Sequence, residues 1–145
     1  MTKKILIING PNLNLLGERE ESKYGKITLD EVKRDCERHA KSNNLEIKFE
    51  QSNIEGEIVT MIQKAKDIFD GIIINAAGYT HTSIAILDAL NAFEAHVVEV
   101  HISDIKARES FRHHSYVSLR ADKEIIGKGI NGYILALEWI ISQES

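Results

Sequence analysis

Two short runs in this sequence consist almost entirely of isoleucine and leucine, and each one closes on an asparagine. They cover residues 4–9 and residues 71–75. A strand with one face in water alternates apolar and polar side chains, whereas a strand that is apolar throughout needs cover on both faces. Such strands are typical of the centre of a parallel sheet with helices on both sides. The sequence therefore predicts an α/β fold.

The remaining elements alternate along the chain as this fold class requires. Residues 45–50 alternate apolar with charged side chains, which predicts a strand at the edge of the sheet. His96–His101 supplies a fourth strand, and a fifth is predicted near residues 117–121. Helices are predicted over residues 28–42, 54–68, 83–92, 108–112 and 130–142.

Strands that alternate with helices form three layers around a parallel sheet. Five strands favour the flavodoxin-like order 2-1-3-4-5, in which strands one and three are neighbours. The loops that follow Asn9 and Asn75 would then meet the end of strand four at the carboxyl edge, where open α/β sheets bind their ligands. The chain has 145 residues, which suits one domain over residues 1–145 with a single core.

Composition and charge exclude several classes of function. Hydrophobic residues make up 43% and charged residues 28% of the chain, as in ordinary soluble globular domains. The net charge of −4 argues against a nucleic-acid footprint, which would show as a basic excess. No apolar stretch is long enough for a signal-peptide core or a membrane span, and Cys36 is the only cysteine. We therefore expect a reducing, cytoplasmic setting with no membrane contact and Cys36 as a buried small hydrophobe.

The segment after strand one, NGPNLNLLGEREESKYG over residues 9–25, is the most informative part of the sequence. It is much longer than the roughly 2–6 residues of an ordinary strand-to-helix loop, and loops of such length are often functional. It has no Walker or dinucleotide-binding glycine pattern, but it carries Asn12, Arg19 and Tyr24, which could hold a small anion or a reacting carbonyl. We therefore expect an active-site wall and a ligand that is small, polar and anionic.

Three side chains are candidates for proton transfer in this crevice. His81 and His101 can act near neutral pH, and Tyr24 can act as an acid or a base. A phenol with an ordinary pKa near 10 is only about 0.1% ionised at neutral pH, so a tyrosine base needs a neighbouring cation. Arg19 lies in the same loop and is the natural candidate, while Arg112 is a second source of positive charge.

Purely structural roles are open to each of these residues. His81 could cap the following helix, and Arg108 and Arg112, four residues apart, could form a solvated helix face. His113 and His114 look like a metal pair, but adjacent residues on a helix or strand point in different directions, so no metal site is expected. Four asparagines could be ordinary strand-end or turn residues: Asn9, Asn12, Asn14 and Asn75.

Four motifs occur in order along the chain. They are NGPNLNLLGEREESKYG from Asn9, NAAGYTHTS from Asn75, EVHIS from Glu99 and RESFRHHSYVS from Arg108. Together they resemble type II 3-dehydroquinate dehydratases over nearly the whole chain. The resemblance implies a cofactor-independent lyase that dehydrates 3-dehydroquinate to 3-dehydroshikimate through an enolate, in the shikimate pathway of aromatic amino acid biosynthesis.

The same resemblance implies a role for each catalytic residue. Tyr24, assisted by Arg19, would remove the proton alpha to the ketone, and His101 would then protonate the departing hydroxyl. Asn12 would stabilise the enolate through a held water. Glu99 lies two residues before His101 on the same strand face, so it could orient the imidazole and support its charged form.

The resemblance also implies how the substrate is held. Asn75, together with the backbone amides of Ile102 and Ser103, would take the carboxylate. His81 and Arg112 would bind the hydroxyl groups. These residues surround the expected crevice, so a single small molecule could contact all of them.

Assembly is a further expectation from the resemblance. The family implies a dodecamer built as a tetramer of trimers, in which Asp88 would reach the site of a neighbouring subunit. On sequence pattern alone, Asp88 is an ordinary exposed helix residue. No partner other than the small-molecule substrate and further copies of the chain is expected.

The chain departs from the family pattern at several positions. Glu21 stands where a proline is common, Asp104 stands where asparagine is usual, and Ala76, followed by Ala77 and Gly78, replaces a proline-containing turn. None of these changes removes a proposed catalytic group. Glu21 could loosen the loop, and the altered turn could shift Asn75. These departures would therefore change the substrate affinity and the reaction rate, and not the type of reaction.

Two competing functions can be weighed against the lyase. A flavodoxin-like module could bind a small anionic metabolite without catalysis, but a phosphoacceptor version needs acidic residues at the end of strand one, where Ile7, Ile8 and Asn9 stand. A flavin-binding version would give a coloured protein. A lyase that forms a Schiff base needs a lysine in an apolar setting, and no lysine of this sequence sits in an apolar strand suited to a lowered pKa.

Overall fold

A computed structural model of the chain describes residues 2–18 and 26–143. Within these residues, five strands form one parallel sheet in the order β2-β1-β3-β4-β5. The strands are β1 (Lys3–Asn9), β2 (Leu45–Gln51), β3 (Gly71–Asn75), β4 (His96–His101) and β5 (Lys123–Ile126). The α-helices are α1 (Leu29–Ser42), α2 (Glu55–Lys64), α3 (Ile84–Asn91) and α4 (Asn131–Ser142). The predicted fold class and strand order are confirmed.

β1 sends its side chains alternately into two apolar cores. Ile5 and Ile7 pack with α1 and α4, whereas Leu6 and Ile8 pack with α2 and α3 on the opposite face. None of the four side chains is more than 3% exposed. The apolar sequence of β1 is therefore explained by burial on both sides, since each buried aliphatic side chain contributes roughly 1.5–3 kcal/mol.

The predicted start and end of α1 are confirmed. Thr28 caps the helix, because its hydroxyl accepts a hydrogen bond from the Glu31 N–H at 3.3 Å, and Asn43 forms the C-terminal cap. Cys36 lies on the inner face of α1 and is fully buried, as expected. Burial raises the pKa of the Cys36 thiol to about 12, so this side chain is an uncharged part of the core.

The predicted position of the fifth strand was wrong. Residues 117–119 form a short 3-10 helix, and β5 follows at Lys123–Ile126. Val117 is 1% exposed and packs in the core beneath α2 and α3, so its apolar character reflects a buried turn instead of a strand.

The second helix is shorter than predicted. α2 ends at Lys64, and the chain turns at Asp67, whose φ of 62° is not helical. Ile54 and Ile68, which the pattern placed on the apolar stripe, are 57% and 56% exposed. The helix expected over residues 108–112 is likewise only one 3-10 turn, Ser110–Arg112. None of the helices in the described ranges has the length and apolar character needed to span a bilayer.

The loops after β1 and β3 lie in close contact at the carboxyl edge of the sheet. The Gly10 N–H donates a hydrogen bond to the Asn75 carbonyl at 2.8 Å. A Cβ atom at Gly10 would lie 2.3 Å from the Ala76 carbonyl oxygen, which is far inside van der Waals contact. Glycine is therefore required at position 10 for the two loops to approach each other.

We predict that Gly10→Ala destabilises the protein by about 2 kcal/mol or more, because backbone must move to relieve the overlap with Ala76. Urea unfolding followed by circular dichroism measures this change. Gly56→Ala is the matched control, since Gly56 lies in α2 with nothing within 4 Å of the added Cβ. The control should stabilise the protein by roughly 0.5–1 kcal/mol through helix propensity. Equal stability of the two variants would contradict the packing argument.

Candidate active site

A cleft of about 210 Å³ opens beyond the carboxyl ends of β1, β3 and β4. It lies at the edge where the strand order predicted a ligand site. The predicted site residues that line it are Asn12, Asn75, His81, His101, Ile102, Ser103 and Arg112. Residues that are distant in sequence are therefore brought around one small volume.

Some predicted residues do not line this cleft. Asp88 is exposed on α3 and is not among the residues that surround it. Glu99 lies behind His101 and reaches the cleft only through that imidazole. Arg19 and Tyr24, together with the departure at Glu21, lie outside the described residues.

His101 is held at the end of β4 by a buried carboxylate. Its Nε2 lies 2.5 Å from Glu99 Oε2, and the two side chains are 5% and 1% exposed. The Ser115 hydroxyl donates a second hydrogen bond to the same oxygen at 2.6 Å. Since side chains two residues apart share one face of a strand, β4 itself places Glu99 next to His101. The predicted proximity of these two residues is confirmed, and Ser115 is a partner that the sequence did not reveal.

The exit from β4 is fixed by the segment that follows β5. The N–H groups of Gly127 and Gly129 donate to the carbonyls of His101 and Ile102 at 3.1 and 3.0 Å. Both glycines have positive φ, 74° and 62°, so they let the chain fold back over the end of β4. This contact fixes the backbone of Ile102 and Ser103 at the cleft.

Asn75 ends β3 with its side chain nearly buried, at 4% exposed. Its Oδ1 accepts a hydrogen bond from the Ala77 N–H at 3.1 Å, and its Nδ2 donates to the Tyr133 hydroxyl at 3.1 Å. Ala77 has a φ of 52°, in the left-handed region that favours glycine, so the unusual turn carries strain. The turn nevertheless leaves Asn75 at the cleft.

The other departure from the family pattern within the described residues also has a clear local role. Asp104 caps the 3-10 helix Ile105–Ala107, because its carboxylate accepts from the Lys106 N–H at 3.0 Å.

Asn12, on the opposite wall, lies at φ 70°, and its N–H donates to Asn53 Oδ1 at 2.9 Å. Asn12 is therefore fixed through its backbone while its side chain is exposed at the cleft.

His81 does not cap the helix that follows it, so that alternative was wrong. Ser83 caps α3 with its own hydroxyl, which accepts from the Ile86 N–H at 2.9 Å. The His81 Nδ1 lies 2.7 Å from the His114 carbonyl oxygen, which can only accept, so Nδ1 carries the proton. Burial lowers the pKa of His81 below its ordinary 6.5, and the charges of His101 and Arg112 act in the same direction. Neutral His81 thus keeps an acceptor at Nε2.

Two guanidinium groups line the same cleft. The side chains of Arg108 and Arg112 are 10% and 27% exposed, so the alternative of a solvated helix face was wrong. Arg112 Nε donates to Glu109 Oε1 at 3.1 Å. The sequence singled out Arg112 but not Arg108, although both belong to the RESFRHHSYVS motif. The whole chain has a net charge of −4, but these two arginines place positive charge at the cleft. Positive charge there suits an anionic ligand.

The paired histidines beside this cleft face different partners. His113 Nε2 lies 2.9 Å from the Arg108 carbonyl oxygen. The His114 ring packs edge-on against Tyr116, with ring centres 4.4 Å apart. Each ring therefore has its own local partner, and neither ring lines the cleft.

Comparisons with known proteins agree with this geometry. The family model "Dehydroquinase class II" matches residues 3–141. A Cereibacter sphaeroides protein named 3-dehydroquinate dehydratase is 56% identical over 142 residues, which cover 98% of this chain and 97% of that protein. The crystal structure of a type II dehydroquinase from Butyrivibrio crossotus superposes with a TM-score of 0.96 at 43% identity, covering 97% of this chain and 99% of that one. A type II dehydroquinase from Propionibacterium acnes gives a TM-score of 0.95 at 41% identity, with 99% of each chain covered.

We predict that the His81 ring titrates with a midpoint below 6.5, because burial disfavours its charged form. Proton NMR of the histidine rings as a function of pH measures this value. The pKa of His81 is 6.5 in the unfolded chain and lower in the folded protein, so between these two values the unfolded chain binds more protons than the folded one. The stability that neutral His81 contributes is therefore complete above pH 6.5 and is lost as the pH falls through the folded value. His81→Gln should remove this part of the pH dependence of unfolding. A midpoint at or above 6.5 would show that burial and the neighbouring positive charges do not set the pKa of His81.

Proposed function

Because the chain belongs to the class II dehydroquinase family, a family of hydro-lyases, we propose that it removes water from 3-dehydroquinate to give 3-dehydroshikimate. The observation that carries the proposal is the meeting of Asn75, His101 and two guanidinium groups in one cleft at the sheet edge. Such a set provides a carboxylate-binding amide, a proton-transfer group and positive charge for a small sugar-like acid. The chain would act as one catalytic domain.

The first step in this proposal is removal of the proton alpha to the ketone, which gives an enolate. Tyr24 would act as the base with Arg19 beside it, a role that rests on the family resemblance. Asn12 faces the same cleft and would stabilise the enolate oxygen through a held water. Preorganised donors of this kind often provide the largest single contribution to catalysis.

The second step breaks the bond between carbon and the departing hydroxyl. The electrons of the enolate form the new carbon–carbon double bond, and the hydroxyl leaves as water with a proton from His101. Glu99 supports this role because it occupies Nε2 of the imidazole, so Nδ1 is the ring nitrogen left for a ligand. A carboxylate at 2.5 Å also offsets the positive charge of an imidazolium in a buried setting.

Substrate binding would use the remaining walls of the cleft. Asn75 and the backbone amides of Ile102 and Ser103 would hold the carboxylate, at the end of β3 and just beyond β4. His81 and Arg112 would bind the hydroxyl groups. Neutral His81 suits that task, since its Nε2 can accept a hydrogen bond from a hydroxyl.

Assembly would complete the site in this proposal. We expect a dodecamer arranged as a tetramer of trimers, in which Asp88 reaches the cleft of a neighbouring subunit. Asp88 is exposed on α3, and Ile84, one turn earlier on the same helix, is 54% exposed. An exposed isoleucine beside Asp88 is consistent with a face that another subunit covers. The reaction would belong to the shikimate pathway of aromatic amino acid biosynthesis and take place in the cytoplasm without a cofactor.

The decisive assay is turnover of 3-dehydroquinate by the purified protein after treatment with a chelator. We expect a conjugated enone to accumulate, which ultraviolet absorbance follows directly. Treatment with borohydride in the presence of substrate should leave the activity intact, because no Schiff base is formed in this mechanism. Failure to produce the enone would refute the proposed function, and inactivation by borohydride would point to a lysine-dependent route.

We predict that His101→Gln lowers kcat by about 10²–10⁴-fold, the usual contribution of general acid catalysis. Steady-state kinetics with 3-dehydroquinate measures the loss. His96→Gln is the matched control, because His96 begins the same strand at the opposite end from the cleft. The control should retain nearly full activity. A similar kcat in both variants would remove His101 from the proton-transfer role.

A further inference from the structure

Tyr133 is a buried polar residue that does not line the cleft. It lies on the inner face of α4 and is 0% exposed, among aliphatic side chains of the core. Its hydroxyl nevertheless has two side-chain partners. It donates to Asn9 Oδ1 at 2.6 Å and accepts from Asn75 Nδ2 at 3.1 Å. Tyr133 therefore joins the asparagines at the ends of β1 and β3.

These contacts belong to a chain of hydrogen bonds that begins and ends on the backbone. The Ala77 N–H donates to Asn75 Oδ1 at 3.1 Å, and Asn75 Nδ2 donates to Tyr133. The Tyr133 hydroxyl donates to Asn9 Oδ1, and Asn9 Nδ2 donates to the Glu50 carbonyl at 3.0 Å. Four donors in succession thus point in one direction, from the turn after β3 to the edge strand β2.

The direction of this chain is fixed by its two ends. The Glu50 carbonyl can only accept, so Asn9 must present Nδ2 to it and Oδ1 to the hydroxyl of Tyr133. The Ala77 N–H can only donate, so Asn75 must present Oδ1 to it. The Tyr133 hydroxyl has one proton, and that proton is committed to Asn9. Its oxygen is consequently an acceptor for Asn75.

The consequence for the cleft is that Asn75 offers a donor there. An asparagine amide has two N–H groups, and the bond to Tyr133 occupies one of them. A flipped amide would set Nδ2 against the Ala77 N–H and leave Oδ1 without the donor it needs in the core. Burial raises the pKa of Tyr133, so the hydroxyl keeps its proton at neutral pH.

We infer that Tyr133 is a positioning residue for substrate binding, which holds the amide of Asn75 so that an N–H group faces the carboxylate of the substrate. This inference rests on the proposed function, because it takes the ligand of Asn75 to be that carboxylate. Tyr133 itself touches no substrate atom. Its effect passes from the core under α4 to the cleft through one hydrogen bond.

Tyr133→Phe is the direct test, since it removes only the hydroxyl. The bond to a substrate carboxylate exists before and during the reaction, so its loss should raise KM about tenfold, and kcat should change by less than about threefold. Ile140→Val is the matched control, because the Ile140 side chain is fully buried on the same helix and has no polar atom. The control should leave both constants near the wild-type values. Equal kinetics in the two variants, or a loss confined to kcat, would overturn the inference.

A measurement on the wild-type protein covers the case in which Tyr133→Phe does not fold. In protein labelled with ¹⁵N, one side-chain proton of Asn75 should be protected from solvent exchange by its bond to Tyr133, and the other should exchange and shift when 3-dehydroshikimate is added. Equal exchange of the two protons would overturn the inference even if the enzyme is active. If instead wild type fails to turn over 3-dehydroquinate while the protection pattern is seen, the proposed function fails and the Tyr133 contact stands.

Discussion

The pairing of β1 with β3 is the constraint on which the cleft depends. These strands run parallel in a register that sets Asn9 opposite Asn75, and both are buried by helices on two faces. Since side chains alternate between the faces of a strand, a slip of one residue would exchange the two cores and carry the asparagines away from each other. Gly10 then allows the following loops to touch, through its bond to the Asn75 carbonyl. The position of the site is therefore set by packing of apolar residues that take no part in chemistry.

The sequence predicts elements well where burial leaves a periodic pattern. Ile5 to Ile8 of β1 and Ile72 to Ile74 of β3 are apolar because both faces are covered, and α1 has its cap at Thr28 as well as its apolar stripe. β5 has no such pattern, since only Ile125 of its four residues is buried. Val117, by contrast, belongs to an apolar stretch that could pass for a strand but packs as a turn in the core. The error at the fifth strand comes from this difference in local information.

The residues of the candidate site likewise differ in how well the sequence predicts them. His101 and Asn75 could be predicted because each ends a recognisable strand, and the strand order places those ends together. The sequence could not show whether Arg108 lines the cleft or lies in solvent, because the spacing of two arginines does not say which side of the segment is buried. Ser115 and Tyr133 reach Glu99 and Asn75 only through tertiary packing. Neither its neighbours in sequence nor its own residue type distinguishes Tyr133 from an ordinary core aromatic.

The polar groups at the base of the cleft are supported from within the core. Glu99 is 1% exposed and shares one oxygen between His101 and Ser115, while Asn75 is tied to the backbone of the turn and to Tyr133. A buried polar group is costly unless its hydrogen bonds are formed, so the bonds of Asn75 to Ala77 and Tyr133 favour one orientation of its amide. The bond from His101 to Glu99 Oε2 holds the imidazole beside that carboxylate. That orientation exists before any ligand arrives, so in the proposed reaction a transition state would meet dipoles that need no reorganisation. The burial that hides the roles of Ser115 and Tyr133 from sequence is therefore also what fixes Glu99 and Asn75 for the proposed proton transfer and binding.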